Sequence, residues 1–492
     1  MKTCKHLFAL GGSAVLALAS FASAEAPTTG DADVRAEMAA MKARIAELES
    51  RQNVNWLDER KAEQVKGLVR EVLADADNRA SLLQDGATAG HQGSNFFLAS
   101  GDGSFLMKIS GQIQLRHVAN FRDDDGSEDD SEFDEFERGF EIRRAKIEFS
   151  GHVADPRIKY AVRILVDRAY NGVYADKITL GYDLTDTLYI WGGEDKAPFL
   201  REELISSSRQ LAVERSLVNE VFTAGYVQGV GLIWKAHEQV KVQVMINDGF
   251  RSGEPDVALW TQQGFDDDGD PVEDDFDLDV SKRFHEDRSD FAVTARVDLL
   301  LSGEWSQWKD TSAWGGEETA VFLGGAFHWE EGETGDGFLN NDFYAWTVDG
   351  SIESNGLGLF IAFTGFHTDN ESPAEEIDSY GLVVQGSYNI NDKFEPFIRY
   401  EWIDLSDVED IFLSAEDELN ILTFGFNHYF NKHDAKFTLD LVWALDPVPG
   451  STTSFSGNGG LNGASTSGLG LLWDEDDEDG QIAVRAQFQL LF

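Results

Sequence analysis

The chain has 492 residues, of which 42% are hydrophobic and 12% aromatic, and its formal net charge at pH 7 is −49. This acidic excess argues against nucleic-acid binding, which needs a basic surface to displace counterions from phosphates. The aromatic content argues against intrinsic disorder. Cys4 is the single cysteine, so the sequence offers neither a disulfide framework nor a cysteine-based metal site.

The first 24 residues have the pattern of a secretory signal peptide. Lys2 and Lys5 form a positive start, the run 7–21 is apolar, and residues 22–24 (Ala-Ser-Ala) are the small residues that a signal peptidase accepts. A buried core helix is the alternative, but the run is short and has no polar face. We therefore predict that residues 1–24 are removed and that the mature protein is exported.

Residues 25–85 carry two helical patterns. A coiled-coil seam with alternating spacings of four and three is formed by Val34, Met38, Met41, Ile45 and Leu48. A wide apolar stripe follows over 65–73. We predict a periplasmic helical arm, which either oligomerises as a coiled coil or packs on its own domain. Glycines across 86–103 predict a flexible joint after it.

From 104 to 492, apolar and polar residues alternate in segments of about ten residues, the length that crosses a bilayer as a tilted strand. The final segment is the clearest, with Val484, Phe488 and Phe492 on one face and Arg485 and Gln489 on the other. A soluble sandwich also alternates, but here aromatic residues recur near the segment ends, as in an interfacial girdle. They are Phe121, Tyr182, Trp234, Tyr388, Trp402, Phe430 and Trp443.

Sixteen candidate strands can be counted in this region, an even number that allows a single-chain barrel to close. Short turns alternate with long connections, which is typical of outer-membrane barrels with short periplasmic turns. The connection 302–318 is too long for its place on the short-turn side. The fold class predicted is all-β, a 16-stranded antiparallel transmembrane β-barrel with the N-terminal α-helical arm in the periplasm.

The charge is unevenly distributed. Residues 123–135 and 266–279 hold nine acidic residues each, and 474–479 are six acids in succession, all in long connections. The polar strand faces instead carry more bases than acids. The inward bases are Lys108, Arg116, Arg144, Lys146, Lys159, Arg163, Lys241, Arg296, Arg399, Lys436 and Arg485; the inward acids are Glu148, Asp167, Asp298, Glu395, Glu401 and Asp440. We predict an acidic outer mouth above a positively charged lumen that favours anions.

Other functions have weaker support. The runs 123–126 and 266–269 resemble the start of a calcium-binding loop without its first ligand, so loose binding of divalent cations there is an alternative to a solvated acidic loop. No zinc-protease, serine-hydrolase or phosphate-loop motif is present, so we expect no enzyme activity, cofactor or metal site. A hydrolase site assembled across strands and a structural tether acting through the arm remain alternative functions.

A resemblance rests on residues 191–216, which read WGGEDKAPFLREELISSSRQLAVERS. The Lys-x-Pro-Phe start, an acidic pair, a serine run and a final Glu-Arg-Ser resemble the family of phosphate-selective porins O and P. Residues 139–145 (GFEIRRA) resemble the family's second-strand motif, and the similarity spans about 104 to 492. The acidic outer loops and the lack of a dense lysine cluster depart from a phosphate-selective pattern.

The resemblance implies a trimeric channel whose third loop, here 195–222, folds inward and narrows the pore. Its constriction candidates are Lys196, Arg201, Arg209 and Arg215. Its lumen-lining candidates are Arg144, Lys146, Lys159, Arg163 and Arg399, together with Lys241, which the alternation also points inward. An alternative for the loop arginines Arg201, Arg209 and Arg215 is pairing with Glu202, Glu203 and Glu214, which would brace the loop.

We therefore predict an outer-membrane porin in contact with outer-membrane lipid, a passive diffusion channel for small hydrophilic solutes and in particular anions such as phosphate. It is expected to be a homotrimer.

Overall fold

The computed structural model describes residues 40–44, 87–93, 95–122, 136–167, 172–250, 291–315, 317–331, 343–368, 377–404, 406–407, 417–448, 469–471 and 480–492. The chain divides into two compact units, Met1–Gln84 and Asp85–Phe492. In the first unit, residues 40–44 are helical. The predicted signal peptide, the rest of the arm and most of the acidic loops lie outside the described residues. None of the helices in those ranges is both long and apolar enough to cross a membrane.

The described residues of the second unit contain eighteen strands. Their bounds are β1 (Ala87–Gln92), β2 (Asn95–Ser100), β3 (Phe105–Phe121), β4 (Phe136–Val153), β5 (Asp155–Asp167), β6 (Gly172–Asp183), β7 (Leu188–Lys196), β8 (Tyr226–His237), β9 (Val240–Asn247), β10 (Phe291–Ser302), β11 (Ala320–Glu331), β12 (Phe343–Ser354), β13 (Leu357–Thr368), β14 (Ile377–Tyr388), β15 (Phe394–Asp404), β16 (Glu418–Asn431), β17 (Ala435–Ala444) and β18 (Ile482–Leu491).

Strands β3 to β18 form a closed antiparallel barrel, which confirms the predicted sixteen-stranded fold. Each strand pairs with the next along the chain, and β18 closes the ring by pairing with β3, Ile482 opposite Phe121 and Leu491 opposite Gln112. Closure matters because backbone N–H and C=O groups inside a bilayer find no water, so an open sheet edge would be costly.

Strands β1 and β2 form a hairpin beside the closing seam. The terminal residue Phe492 exchanges backbone hydrogen bonds with Gly111, and β2 then continues the pairing along the same edge of β3, with Phe96 opposite Ile109. The region predicted as a flexible joint over 86–103 therefore contains a hairpin, and its second strand extends the sheet by pairing with β3.

The two faces of the barrel differ as the alternation predicts. On β18, Phe488 and Leu490 point outward and are 40% and 43% exposed, whereas Arg485 and Gln489 point inward and are 0% exposed. Large apolar side chains are exposed on every strand of the ring except β7. Five of the predicted girdle aromatics lie exposed near strand ends, namely Phe121, Trp234, Tyr388, Phe430 and Trp443. The outer surface is therefore suited to lipid.

Short turns lie at one end of the barrel, as predicted. The turn between β12 and β13 consists of Asn355 and Gly356, which have φ angles of 48° and 90°. This is the backbone that a two-residue hairpin with the right-handed strand twist requires, and Asn-Gly adopts it readily. The connection between β10 and β11 is the exception noted in the sequence, and it folds into the barrel.

Candidate channel and the loop that crosses it

A loop between β7 and β8, residues 197–225, folds into the barrel, and we call it the inward loop. It contains helix α1 (Arg201–Leu204), a 3-10 turn (Ser207–Arg209) and helix α2 (Leu217–Phe222). Its two ends meet where the Ala197 N–H donates to the Gly225 carbonyl at 3.0 Å. The loop therefore leaves and re-enters the barrel wall at nearly one point.

Helix α2 holds the loop through apolar packing. Leu217 and Phe222 are 0% and 1% exposed, and the Phe222 ring lies 5.5 Å from that of Phe366 on β13. Gly381 on β14 makes room, because a Cβ there would lie 2.7 Å from Val218. Ser216 caps the N-terminus of the helix, because its Oγ accepts a hydrogen bond from the Asn219 N–H at 2.9 Å. The apolar residues of helix α2 therefore pack against β13 to β15. These strands belong to the side of the barrel formed by β10 to β17, which we call the far wall.

Cations on that far wall bind the backbone of the loop. Arg399 donates to the Glu214 carbonyl at 2.9 Å, Lys436 to that of Gln210 at 2.6 Å, and Arg296 to that of Phe199 at 2.8 Å. These three cations are at most 1% exposed. Burial of a charge is costly unless it is paired or hydrogen-bonded, and the loop carbonyls supply the missing acceptors.

A second segment, residues 303–315, enters from the short-turn end, and we call it the plug. The Ser312 hydroxyl donates to Glu395 at 3.1 Å, and the Ala313 carbonyl accepts from Asn389 at 3.0 Å. The Trp314 ring lies 4.7 Å from that of Tyr429. Together with the inward loop, the plug packs the interior against β12 to β17. This packing explains why the connection predicted at 302–318 is so long.

A cavity of about 830 Å³ lies between the inward loop and strands β3 to β9. Its charged lining is predominantly basic, with nine Lys and Arg side chains against four Asp and Glu side chains. The basic residues are Lys108, Arg143, Arg144, Lys146, Lys159, Arg163, Lys177, Lys196 and Arg215, and the acidic ones are Glu148, Asp195, Glu203 and Glu220. A predominantly basic lining attracts anions.

Two β-bulges change which residues reach this cavity. On β4, Arg144 pairs with Gln114 and Ile142 with Leu115, so Arg143 is an extra residue and turns inward beside Arg144. On β6, the pairing skips Asp176, whose carboxylate lies inward. Sequence alternation missed both, because it assumes an unbroken period of two. Nothing in the sequence of β4 or of β6 indicates where its bulge lies.

Asp176 pairs with two of the basic residues that line the cavity. Its carboxylate oxygens lie 2.8 Å from Lys146 Nζ and 2.6 Å from Arg163 Nε. Arg163 also donates to the Tyr226 hydroxyl at 2.6 Å. These contacts fix two cations of the wall and cancel one of their charges.

Glu214 of the inward loop contacts three arginines of β3 and β4, on the side of the barrel that lines the cavity. Its Oε2 lies 2.7 Å from Arg144 Nη2, and its Oε1 lies 2.6 Å from Arg143 Nε and 3.5 Å from Arg116 Nη1. The β4 bulge makes this arrangement feasible by bringing two consecutive arginines to one carboxylate. The loop is thus fastened on both sides of the lumen.

The four predicted constriction residues separate into two pairs. Lys196 and Arg215 line the cavity, and both approach Glu203, at 2.8 Å and 3.2 Å. Arg201 lies on the packed side, donating to Ser351 Oγ at 2.7 Å. Arg209 faces the plug and lies 3.2 Å from Asp310. The structure therefore does not bring these four side chains together at one constriction.

The predicted lumen-lining residues also divide. Four of them line the cavity, namely Arg144, Lys146, Lys159 and Arg163. Lys241 lies over the Trp308 ring at 3.7 Å and pairs with Asp298 at 3.1 Å. Arg399 is buried on the inward loop, as described above. Both face the barrel interior as the alternation predicts, but neither lines the cavity, because loop and plug fill the space in front of them.

The loop-bracing alternative is realised in one pair of the three. Arg215 pairs with Glu203, whereas Glu202 accepts the Ser216 hydroxyl at 2.5 Å and Glu214 turns to the barrel wall. Burial raises the pKa of Glu203, but the charges of Arg215 and Lys196 outweigh it and lower the pKa to about 2. This carboxylate is therefore ionised at neutral pH and offsets its cationic neighbours.

Among the described residues, no group of three or more His, Cys, Asp and Glu side chains is arranged to hold a metal ion. The acidic runs considered for divalent cations lie outside those residues. A closed barrel with an apolar outer surface, a polar interior and an open basic cavity defines a membrane channel of the porin class.

Comparison with known proteins agrees with this class. The family model described as phosphate-selective porin O and P matches residues 113–262, which confirms the predicted resemblance over β3 to β9 and the inward loop. An uncharacterized protein of Aquifex aeolicus (strain VF5) is 24% identical over 322 residues, which make up 63% of this chain and 68% of that protein.

Solved structures of outer-membrane proteins are similar to this chain. An anion-selective porin from Comamonas acidovorans aligns with 78% of this chain and 99% of its own, at 11% identity and a TM-score of 0.47. OmpT of Vibrio cholerae aligns with 82% of this chain and 100% of its own, at 11% identity and a TM-score of 0.45. The outer membrane channel DcaP of Acinetobacter baumannii covers 78% of this chain, at 13% identity and a TM-score of 0.43.

Proposed function

We propose that this protein is an outer-membrane porin through which small hydrophilic anions, phosphate among them, diffuse along the cavity beside the inward loop. The observation that carries the proposal is the lining of that cavity, with nine basic and four acidic side chains. The family match supports it, because residues 113–262 include most of the lining. No chemical step is needed, since diffusion through a wet lumen requires only charge and space.

The proposal extends to the ends of the chain and to assembly. Residues 1–24 are the signal peptide and 25–85 a helical arm in the periplasm. The short turns face the periplasm, and the plug enters the barrel from that end. The protein assembles as a homotrimer in the outer membrane. The acidic outer loops oppose anions at the mouth, but salt screens their field over about 8–10 Å. The cavity lining therefore dominates selectivity at physiological ionic strength.

The test is the reversal potential of the purified protein in a planar bilayer with a KCl gradient. We expect anion preference, retained when potassium phosphate replaces KCl. The variant Lys108→Gln/Lys159→Gln should lower the anion-to-cation permeability ratio about threefold, because each removed charge lies along the solute path. Lys108 makes no ion pair within the described residues, and Lys159 pairs with Asp183 while its side chain is 46% exposed.

The matched control is Lys393→Gln/Lys432→Gln, two exposed lysines in the turns that flank β15 and β16, on the packed side of the barrel. It removes the same charge from the same end of the barrel and should leave the permeability ratio unchanged. Cation preference of the unmodified protein would contradict the proposed function.

A further inference from the structure

The carboxylate of Glu214 is enclosed by cations. Its side chain is 4% exposed and lies against Arg143, Arg144 and Arg116, whose side chains are 33%, 11% and 2% exposed. One carboxylate therefore contacts three guanidinium groups. Among the described residues, Arg116 also pairs with Glu141 at 2.5 Å, and Arg143 interacts more weakly with Glu220 and Glu141. Two of the three arginines, Arg143 and Arg144, line the open cavity.

This geometry is that of an oxyanion site. Arginine binds carboxylate, sulfate and phosphate oxygens through the same planar set of N–H donors, often with two parallel hydrogen bonds. Arg144 makes such a two-bonded contact with Glu214, Nη1 to Oε1 at 2.8 Å and Nη2 to Oε2 at 2.7 Å. Arg143 adds a third donor at 2.6 Å. A free oxyanion in the same place would meet the same donors.

We propose that Arg116, Arg143 and Arg144 form a latent oxyanion-binding site in the channel wall, occupied by the chain's own Glu214. The inference rests on the proposed function, since it concerns the same cavity. Glu214 is here a positioning residue: it fixes the inward loop and limits how much positive charge the cavity presents. The arginine N–H groups that would bind an anion most strongly are already hydrogen-bonded to Glu214. Solute anions therefore bind weakly to this part of the wall and continue to diffuse through the channel.

The test is Glu214→Gln, measured in bilayers with inorganic sulfate as the probe. We expect the anion-to-cation permeability ratio to rise about threefold, because one negative charge is lost close to the solute path. We also expect millimolar sulfate to block the chloride current of the variant and not that of the unmodified protein. Adding Arg143→Gln to the variant should restore the original ratio and weaken the block.

Glu401→Gln is the matched control. This carboxylate also contacts the inward loop, but its arginine partner, Arg399 at 2.7 Å, does not line the cavity, whereas Arg143 and Arg144 beside Glu214 do. It removes the same charge and a comparable anchor of the loop, so a purely structural effect should appear in both variants. Sulfate block should appear in Glu214→Gln alone.

If Glu214→Gln does not refold by itself, sulfate should rescue its refolding into detergent, whereas chloride at equal ionic strength should not. A folded variant with an unchanged ratio and no sulfate block, or an unfolded one that sulfate does not rescue, overturns the inference. Neither result touches the proposed function, which is tested by the selectivity of the unmodified protein.

Discussion

Replacing residues 198–224 with a two-residue Gly-Ser linker is expected to raise the single-channel conductance at least about threefold, because a sixteen-stranded barrel without an inward loop encloses a wide aqueous channel. The linker has only a short gap to close, since Ala197 and Gly225 are hydrogen-bonded at 3.0 Å. The strand ladder of the barrel is untouched by this change. Conductance in 1 M KCl is the measurement.

The same deletion should also change selectivity. The three far-wall cations that now donate to loop carbonyls, Arg296, Arg399 and Lys436, would face water. Arg296 and Arg399 would keep their wall partners Asp298 and Glu401, so Lys436 would add most to the positive charge of the lumen. For the conductance, the control is a deletion of 266–279, which shortens the chain in a connection other than the inward loop. Equal conductance of the loop deletion and the unmodified protein would show that solutes do not pass beside the inward loop.

The barrel itself could be predicted from the sequence because a strand in a bilayer obeys a strict rule. Every second residue faces lipid and must be apolar, so β18 has Phe488 and Leu490 outside and Arg485 and Gln489 inside, as the alternation indicates. The tight turns follow from the same rule, since residues such as Asn355 and Gly356 interrupt it where the chain reverses. These features are local, and a single sequence contains them.

The site could be predicted only in part, because a side chain that points into the barrel does not necessarily line the open cavity. Alternation points Arg144 and Arg399 equally toward the lumen, yet the first lines the cavity and the second is buried on the loop. The difference is made by residues far away in sequence. The Arg399 side chain meets the Glu214 carbonyl, 185 residues earlier in the chain. No pattern within one strand carries that information.

Ion pairing also limits how well the net charge of the cavity lining can be predicted from the sequence. The cavity holds nine bases, but the carboxylates of Asp176, Glu203 and Glu214 each neutralise part of the charge of at least two of them. The cations that act most strongly on a passing anion are therefore the exposed ones at the short-turn end, such as Lys108. A lining with a modest net charge lets anions enter and also lets them leave, which a diffusion channel requires.

Substitution of Trp314 by Ala is expected to release the plug while the barrel stays folded. Trp314 is 7% exposed, and its ring contacts those of Tyr429 at 4.7 Å and His433 at 5.4 Å. Truncation of a buried tryptophan costs about 3–5 kcal/mol. Because strands β10 and β11 remain paired on both sides of the plug, that loss falls mainly on the local anchoring of 303–315. The plug should then open about a hundredfold more often.

Trypsin cleavage after Lys309, an exposed residue inside the plug, measures this opening. We expect the Trp314→Ala protein in detergent to be cut about a hundredfold faster than the unmodified protein, with an unchanged unfolding temperature of the barrel. Trp443→Ala is the control, because Trp443 faces outward and is 38% exposed. A cleavage rate in Trp314→Ala that matches the control would mean that Asp310, Ser312 and Ala313 anchor the plug without the aromatic contact.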